Sequence, residues 1–79
     1  MLTWEQELEK QGFIKRGVNS WYAYFPMRKA WLEYDQVCME VFFIGNRREL
    51  TCMGHNIPLN TPGDIKTAMN IIIENQREL

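Results

Sequence analysis

The feature that most restricts the fold is the run VCMEVFFIGNRRELTCM, Val37 to Met53. Two segments rich in β-forming residues flank Gly45-Asn46, a dipeptide suited to a two-residue reverse turn between antiparallel strands. Such a turn pairs Ile44 with Arg47, Val41 with Leu50 and Met39 with Cys52. Successive strand side chains point to opposite faces. Val37, Met39, Val41, Leu50 and Cys52 therefore share one face, with Phe43 beside Arg48. Cys38, Glu40, Phe42, Ile44, Arg47, Glu49, Thr51 and Met53 share the other. The first set reads as the core side. A slip of one residue would invert both faces, so the pairing has a single acceptable register.

The remaining segments are read around this hairpin. Thr3 followed by Gln6 has the spacing of a capping box, and Glu5 and Glu7 suit the positive end of a helix. A short helix is predicted over about Trp4 to Gln11, stopped at Gly12. Phe13 to Arg16 reads as extended, followed by a turn at Gly17-Val18-Asn19-Ser20. Trp21 to Phe25 alternates Trp21, Ala23 and Phe25 against Tyr22 and Tyr24, which predicts a strand ended by Pro26. Residues 27–34 read as a connection containing at most a helical turn. After a loop from His55 to Asn60, Thr61-Pro62-Gly63-Asp64 marks a helix start, with threonine as cap and proline at the first helical position. Ile65, Ala68, Met69, Ile72 and Ile73 recur at helical spacing, continued by Gln76 and Leu79, and form a lid for the Val37/Met39/Val41 face. The expectation is one α+β domain over residues 1–79. It has a three-stranded antiparallel sheet, a short N-terminal helix and a C-terminal helix packed on it, in the order α-β-β-β-α.

With 79 residues there is room for one core, and 46% hydrophobic residues supply it. No apolar run approaches the roughly 18 residues of a membrane span, and the N-terminus lacks the basic and apolar regions of a signal peptide. The expected location is the cytoplasm, where Cys38 and Cys52 stay reduced. A net charge of −1 argues against broad electrostatic capture of nucleic acid. Basic residues nonetheless concentrate in the middle as three adjacent pairs: Lys15-Arg16, Arg28-Lys29 and Arg47-Arg48.

No reaction chemistry emerges. Cys52-x-x-His55 is half of a zinc spacing with no second pair of ligands. Asp35, Cys38 and His55 provide an acid, a thiol and a base, but the lone histidine sits in a turn-rich segment and nothing activates the thiol. The five glycines are scattered as cap and turn residues, with no phosphate-cradling loop among them. The expectation is a non-enzymatic protein without metal or cofactor.

A surface is the better candidate. A single helical lid covers one sheet face, while the other still carries Cys38, Phe42, Ile44 and Met53, with Tyr22 and Tyr24 from the neighbouring strand. An apolar face of this kind marks an interface unless Trp4 and Leu8 of the first helix, or Trp31 of the connection, cover it. The candidate partner-binding residues are Tyr22, Tyr24, Phe42, Ile44, Arg47, Arg48, Arg28 and Lys29, and the partner is another protein or a second copy of the chain. The alternative is a nucleic-acid-binding module in which sheet-face aromatics stack on bases and basic turns hold phosphates. The order α-β-β-β-α resembles that of double-stranded RNA-binding domains. The lysine cluster that opens their last helix is absent, since Thr61-Pro62-Gly63-Asp64 and a lone Lys66 stand there.

The "QGFI" after the amphipathic start, the "WYAYF" strand and the closing "TPGDIKTAMNIIIE" helix resemble small phage-encoded and mobile-element proteins. Some of these are inhibitors of host defence of the anti-CRISPR type. The resemblance implies a stand-alone protein-binding inhibitor or regulator of a host complex and transfers no functional residue.

Overall fold

The capping box starts the first helix. The Thr3 hydroxyl accepts from the Gln6 amide at 3.1 Å, and the Gln6 side chain accepts from the Thr3 amide at 2.9 Å. Together they satisfy two amide donors at the start of helix α1, Trp4–Lys10. The helix ends at Gln11 as its cap, and Gly12 follows at φ 94°. The computed structural model describes residues 2–26 and 36–77. The expected connection at 27–34, with Arg28, Lys29 and Trp31, lies outside the described residues.

The sheet has five strands where three were expected. They are β1 (Ile14–Lys15), β2 (Ser20–Pro26), β3 (Gln36–Ile44), β4 (Arg47–Cys52) and β5 (His55–Leu59), in spatial order β1-β2-β3-β4-β5 with every neighbour antiparallel. Helix α2, Asp64–Arg77, closes the chain. The order is α-β-β-β-β-β-α, so the topological likeness to double-stranded RNA-binding domains does not hold.

The central hairpin has the expected register, from Ile44–Arg47 through Val41–Leu50 to Glu40–Thr51. Gly45 has φ 60° while Asn46 is not in the positive-φ region. That is the pattern of a type II′ turn, which needs glycine at its first central position.

The two unanticipated strands have separate causes. β1 contributes only the pairs Ile14–Tyr22 and Lys15–Trp21, too short a stretch to stand out as periodicity. β5 occupies what read as a loop because it contains Asn56 and Pro58. Its tight turn makes Cys52 and His55 a hydrogen-bonded pair, and alternation then directs the backbone groups of Asn56 and Pro58 outward. Proline's missing N–H faces away from the ladder, where it costs no sheet hydrogen bond.

Both helices pack on one face of this sheet. Leu8 from α1 and Ile65, Ala68, Met69 and Ile72 from α2 join Trp21, Ala23, Met39, Val41, Leu50 and Cys52 in a single buried cluster. Trp4 meets Phe43 edge-on at 6.0 Å, and Phe13 meets Phe25 at 6.1 Å. Both sheet partners lie on the Val41 side. Each fully buried side chain of this size is worth about 1.5–3 kcal/mol.

The start of α2 lies two residues later than expected, at Asp64 instead of Pro62. Thr61 to Gly63 form a tight turn, with Asp64 N–H donating to Thr61 O at 3.0 Å and Ile65 N–H to Pro62 O at 3.2 Å. The Asp64 carboxylate reaches back, accepting from the amides of Asn60 and Thr61 at 2.8 Å each. It is the reciprocal half of a capping box. The Thr61 amide first, then that of Asn60, holds the Asp64 carboxyl below its ordinary value. A depressed carboxyl stabilises the fold above its unfolded pKa and loses that contribution as pH falls through the folded value. Asp64→Ala should therefore lower the melting temperature at neutral pH. The gap to the native chain should close in thermal melts taken well below the ordinary carboxylate range.

Candidate functional site

Side-chain alternation and the four strand registers define the second face completely for the described strands. One row across the sheet reads Ile14, Tyr22, Glu40, Thr51, Asn56; the next reads Ser20, Phe42, Glu49, Pro58. Arg16 extends that second row, its amide donating to Ser20 O at 2.9 Å. Tyr24 pairs with Cys38 below them, and Ile44 with Arg47 above. No described helix lies on this side. Among the described residues nothing covers it, and α1 packs on the opposite face, so Trp4 and Leu8 are not its lid.

Its apolar content is high for an uncovered face. Ile14, Tyr24, Ile44 and Met53 are all exposed large hydrophobic residues. Tyr22, Cys38 and Phe42 are half-buried among them. Tyr22 and Tyr24 meet edge-on at 5.9 Å, a mutual contact that fixes two rings on one strand. The Arg16 guanidinium stacks 4.4 Å from the Tyr22 ring and reaches Glu40 at 3.3 Å. Arg47 reaches Glu49 at 3.6 Å. The four charges of the face thus sum to zero.

The β4–β5 turn carries the backbone outlier. Met53 has φ 50° and Gly54 φ 84°. Two positive φ values make this a type I′ turn, for which Asn-Gly is the favoured sequence. Holding methionine there costs about 1–2 kcal/mol. The side chain is 49% exposed. It borders an open depression of about 380 Å³ lined also by Cys38, Glu40, Thr51, His55 and Asn56.

The sequence-derived site residues divide among three places. Tyr22, Tyr24, Phe42, Ile44 and Arg47 come together on the open face. Arg48 does not join them. Adjacent strand residues point apart, and Arg48 stands on the helix side, its guanidinium 4.4 Å from Phe43 and 5.8 Å from Trp4. There it donates to the carbonyls of Gly45 and Arg47 at 3.2 and 3.3 Å, while its buried Nε has no hydrogen-bond partner. Arg28 and Lys29 are outside the described residues. The same alternation separates Lys15, 5.8 Å over Trp21, from Arg16. Ile14, Arg16, Ser20, Asn56 and Pro58 are face residues that the sequence left unassigned; for Ile14 and Arg16 the only signal was the extended stretch Phe13 to Arg16.

Among the described residues no cluster of three His, Cys, Asp or Glu side chains is placed to hold a metal ion. Asp35, and with it the Asp35–Cys38–His55 set, lies outside the described residues. No described helix is long and apolar enough to cross a membrane.

No protein-family model, curated protein or solved structure matches this chain.

The two thiols are free and differ in surroundings. Cys52 is buried in the core, and Cys38 is half-buried on the open face. Burial pushes the Cys52 thiol up, with the neighbouring Cys38 adding to it. Since the thiolate is the reactive form, Cys38 should be alkylated first in the folded protein and Cys52 only on unfolding. Mass spectrometry of a timed iodoacetamide reaction checks the order. Equal rates would place Cys52 outside the core, and an oxidised pair under denaturing alkylation without reductant would overturn the register.

Proposed function

We propose that this chain is a small non-enzymatic protein-binding module whose binding surface is the open sheet face. One observation carries the reading: both helices share the other face, so Tyr24, Ile44, Met53 and Ile14 stand exposed around half-buried Tyr22 and Phe42. Contiguous exposed apolar surface rimmed by polar groups is characteristic of protein interaction sites. Aromatic side chains held rigid by their neighbours, as Tyr22 and Tyr24 are, supply much of an interface's energy. Following the resemblance to small phage-encoded inhibitors, the partner is a component of a host complex that the module occupies and blocks.

A nucleic-acid-binding module is the alternative, and the Arg16–Tyr22 stack beside Tyr24 is its supporting observation. Against it, the Lys15-Arg16 and Arg47-Arg48 pairs are each divided between the two faces. The face itself balances Arg16 and Arg47 with Glu40 and Glu49.

Two variants and a cross-linker test the reading. Val41→Asp buries an unpaired charge and should cost about 3–5 kcal/mol, enough to unfold a domain of this size. Phe42→Asp should leave the circular dichroism melt close to native while abolishing partner capture. A photo-cross-linking residue at position 42 should give protein adducts that one at Ile71, on the outer face of α2, does not. Adducts from position 71 alone would overturn the proposal, as would collapse of the Phe42→Asp fold. A nanomolar nucleic-acid complex that weakens steeply with salt and is lost in Arg16→Ala plus Arg47→Ala would install the alternative.

A further inference from the structure

We infer that the open face docks on a second copy of this chain, in one register that its charges select. The inference rests on reading that face as a binding surface and names its occupant when no host component is bound.

Charge placement is the main argument. Arg16, Ser20, Phe42, Glu49 and Pro58 lie in one row across β1 to β5. Neighbouring strands are about 4.8 Å apart, which puts Arg16 on β1 and Glu49 on β4 three strand spacings from each other. Consider a two-fold axis parallel to the strands, lying between β2 and β3 in the plane where two such faces meet. Turning one copy about this axis lays β1 over β4 of the other and β2 over β3. Arg16 then faces Glu49 of the second copy, and Glu49 faces its Arg16. In the same row Ser20 faces Phe42. In the next, Tyr22 faces Glu40 and Ile14 faces Thr51. In the row below, Tyr24 faces Cys38. Arg47, in the row above, lies level with the β1–β2 turn, so no like charges stand directly opposite each other. The contact is isologous, so each pair occurs twice.

The geometry suits such a dimer in other respects. Sheets stack face to face about 10 Å apart with strands aligned to within roughly 30°, close enough for the long Arg16 side chain to reach across. Arg16 is half-exposed, with 50% of its side chain accessible, while Glu49 lies lower at 18%. An exposed cation thus meets a set-back carboxylate. The face spans about 20 Å by 20 Å and buries on the order of 1,000 Å² over two copies, the lower edge of specific interfaces. The dimer is accordingly reversible, forming at micromolar concentrations. Edge-to-edge pairing is disfavoured at β5, where outward-facing Pro58 lacks a donor.

The test uses charge reversal in trans. The native chain should show concentration-dependent dimerisation in sedimentation velocity between about 1 and several hundred micromolar, the range expected of an interface this small. Arg16→Glu sets two acids opposite each other twice, and Glu49→Arg sets two bases. Each variant alone should dimerise at least about tenfold more weakly. Mixed in equal amounts they should recover the association, because every cross-dimer contact is again opposite in sign. Native mass spectrometry should find the mixed species over either homodimer. Circular dichroism melts identify any variant that has lost its fold; in that event Arg16→Gln and Glu49→Gln replace the pair, each expected to weaken the native dimer. Recovery on mixing supports the register. Single variants that dimerise like the native chain, or a mixture that stays monomeric, overturn it. If the native chain remains monomeric while position 42 cross-links to another protein, the second copy is excluded and the face remains a binding surface. Monomer with no adduct from position 42 removes both readings.

Discussion

Among the described residues the structure turns on one shortage: two sheet faces and helix enough for one. At 1.5 Å per residue, the seven residues of α1 and fourteen of α2 are about 10 and 21 Å long. A five-stranded sheet is about 20 Å wide. Both helices lie on one face as a single layer, and the core forms where that layer meets Trp21, Met39, Val41 and Leu50. Arg48 secures the shorter helix by lying against both Trp4 and Phe43. Strand alternation then makes the outcome unavoidable. Whatever apolar residues occupy the even-numbered positions of β2 and β3 are left on the uncovered side.

How far this was readable depends on how local each signal is. The Thr3–Gln6 box and the Val41–Leu50 register are specified within a few residues or by a two-residue turn, and both were legible. β1 was legible only as the extended stretch Phe13 to Arg16 and was not counted in the sheet, because two residues carry no period; its place as a strand comes from β2 lying beside it. β5 was hidden by composition, since Asn56 and Pro58 resemble loop residues until the edge position makes them acceptable. The turn between β4 and β5 was hidden too. Met53-Gly54 lacks the asparagine that normally announces a type I′ hairpin. For the face, Tyr22, Tyr24, Phe42, Ile44 and Arg47 were legible from alternation alone. Arg48 was grouped with them as half of the Arg47-Arg48 pair, although the hairpin register had already set it beside Phe43 on the other face.

The charges of the face do a different job from its rings. Arg16–Glu40 and Arg47–Glu49 are exposed or half-exposed pairs, a class that contributes about 0–1 kcal/mol to stability. Their consequence is positional. They place polar groups among Ile14, Tyr22, Phe42 and Ile44, so the uncovered surface is interrupted and remains hydrated when unbound. They also set sign at fixed points: a cation over β1, two carboxylates over β3 and β4, and a second cation at the hairpin end. A partner bound there is selected by that sequence of signs more than by apolar area, which any apolar surface can offer.

Edges and face differ in how the chain treats them. β5 presents Pro58 outward, removing a donor from the row that a foreign strand would need, and β1 is only two residues long. Those are features that discourage pairing. The open face has no comparable protection. It retains Met53 in a left-handed conformation that asparagine or glycine would occupy at lower cost, and the methionine borders the depression beside Cys38 and Glu40. Strain of this sort persists only where something offsets it. The β4–β5 ladder that this turn closes, from Cys52–His55 to Arg48–Leu59, supplies the offset. The methionine side chain itself is half-exposed and outside the buried cluster. On the proposed reading it also makes contact on binding, since a flexible thioether adapts to an irregular partner surface as a rigid β-branched side chain does not, and the hairpin tip is then part of the binding surface.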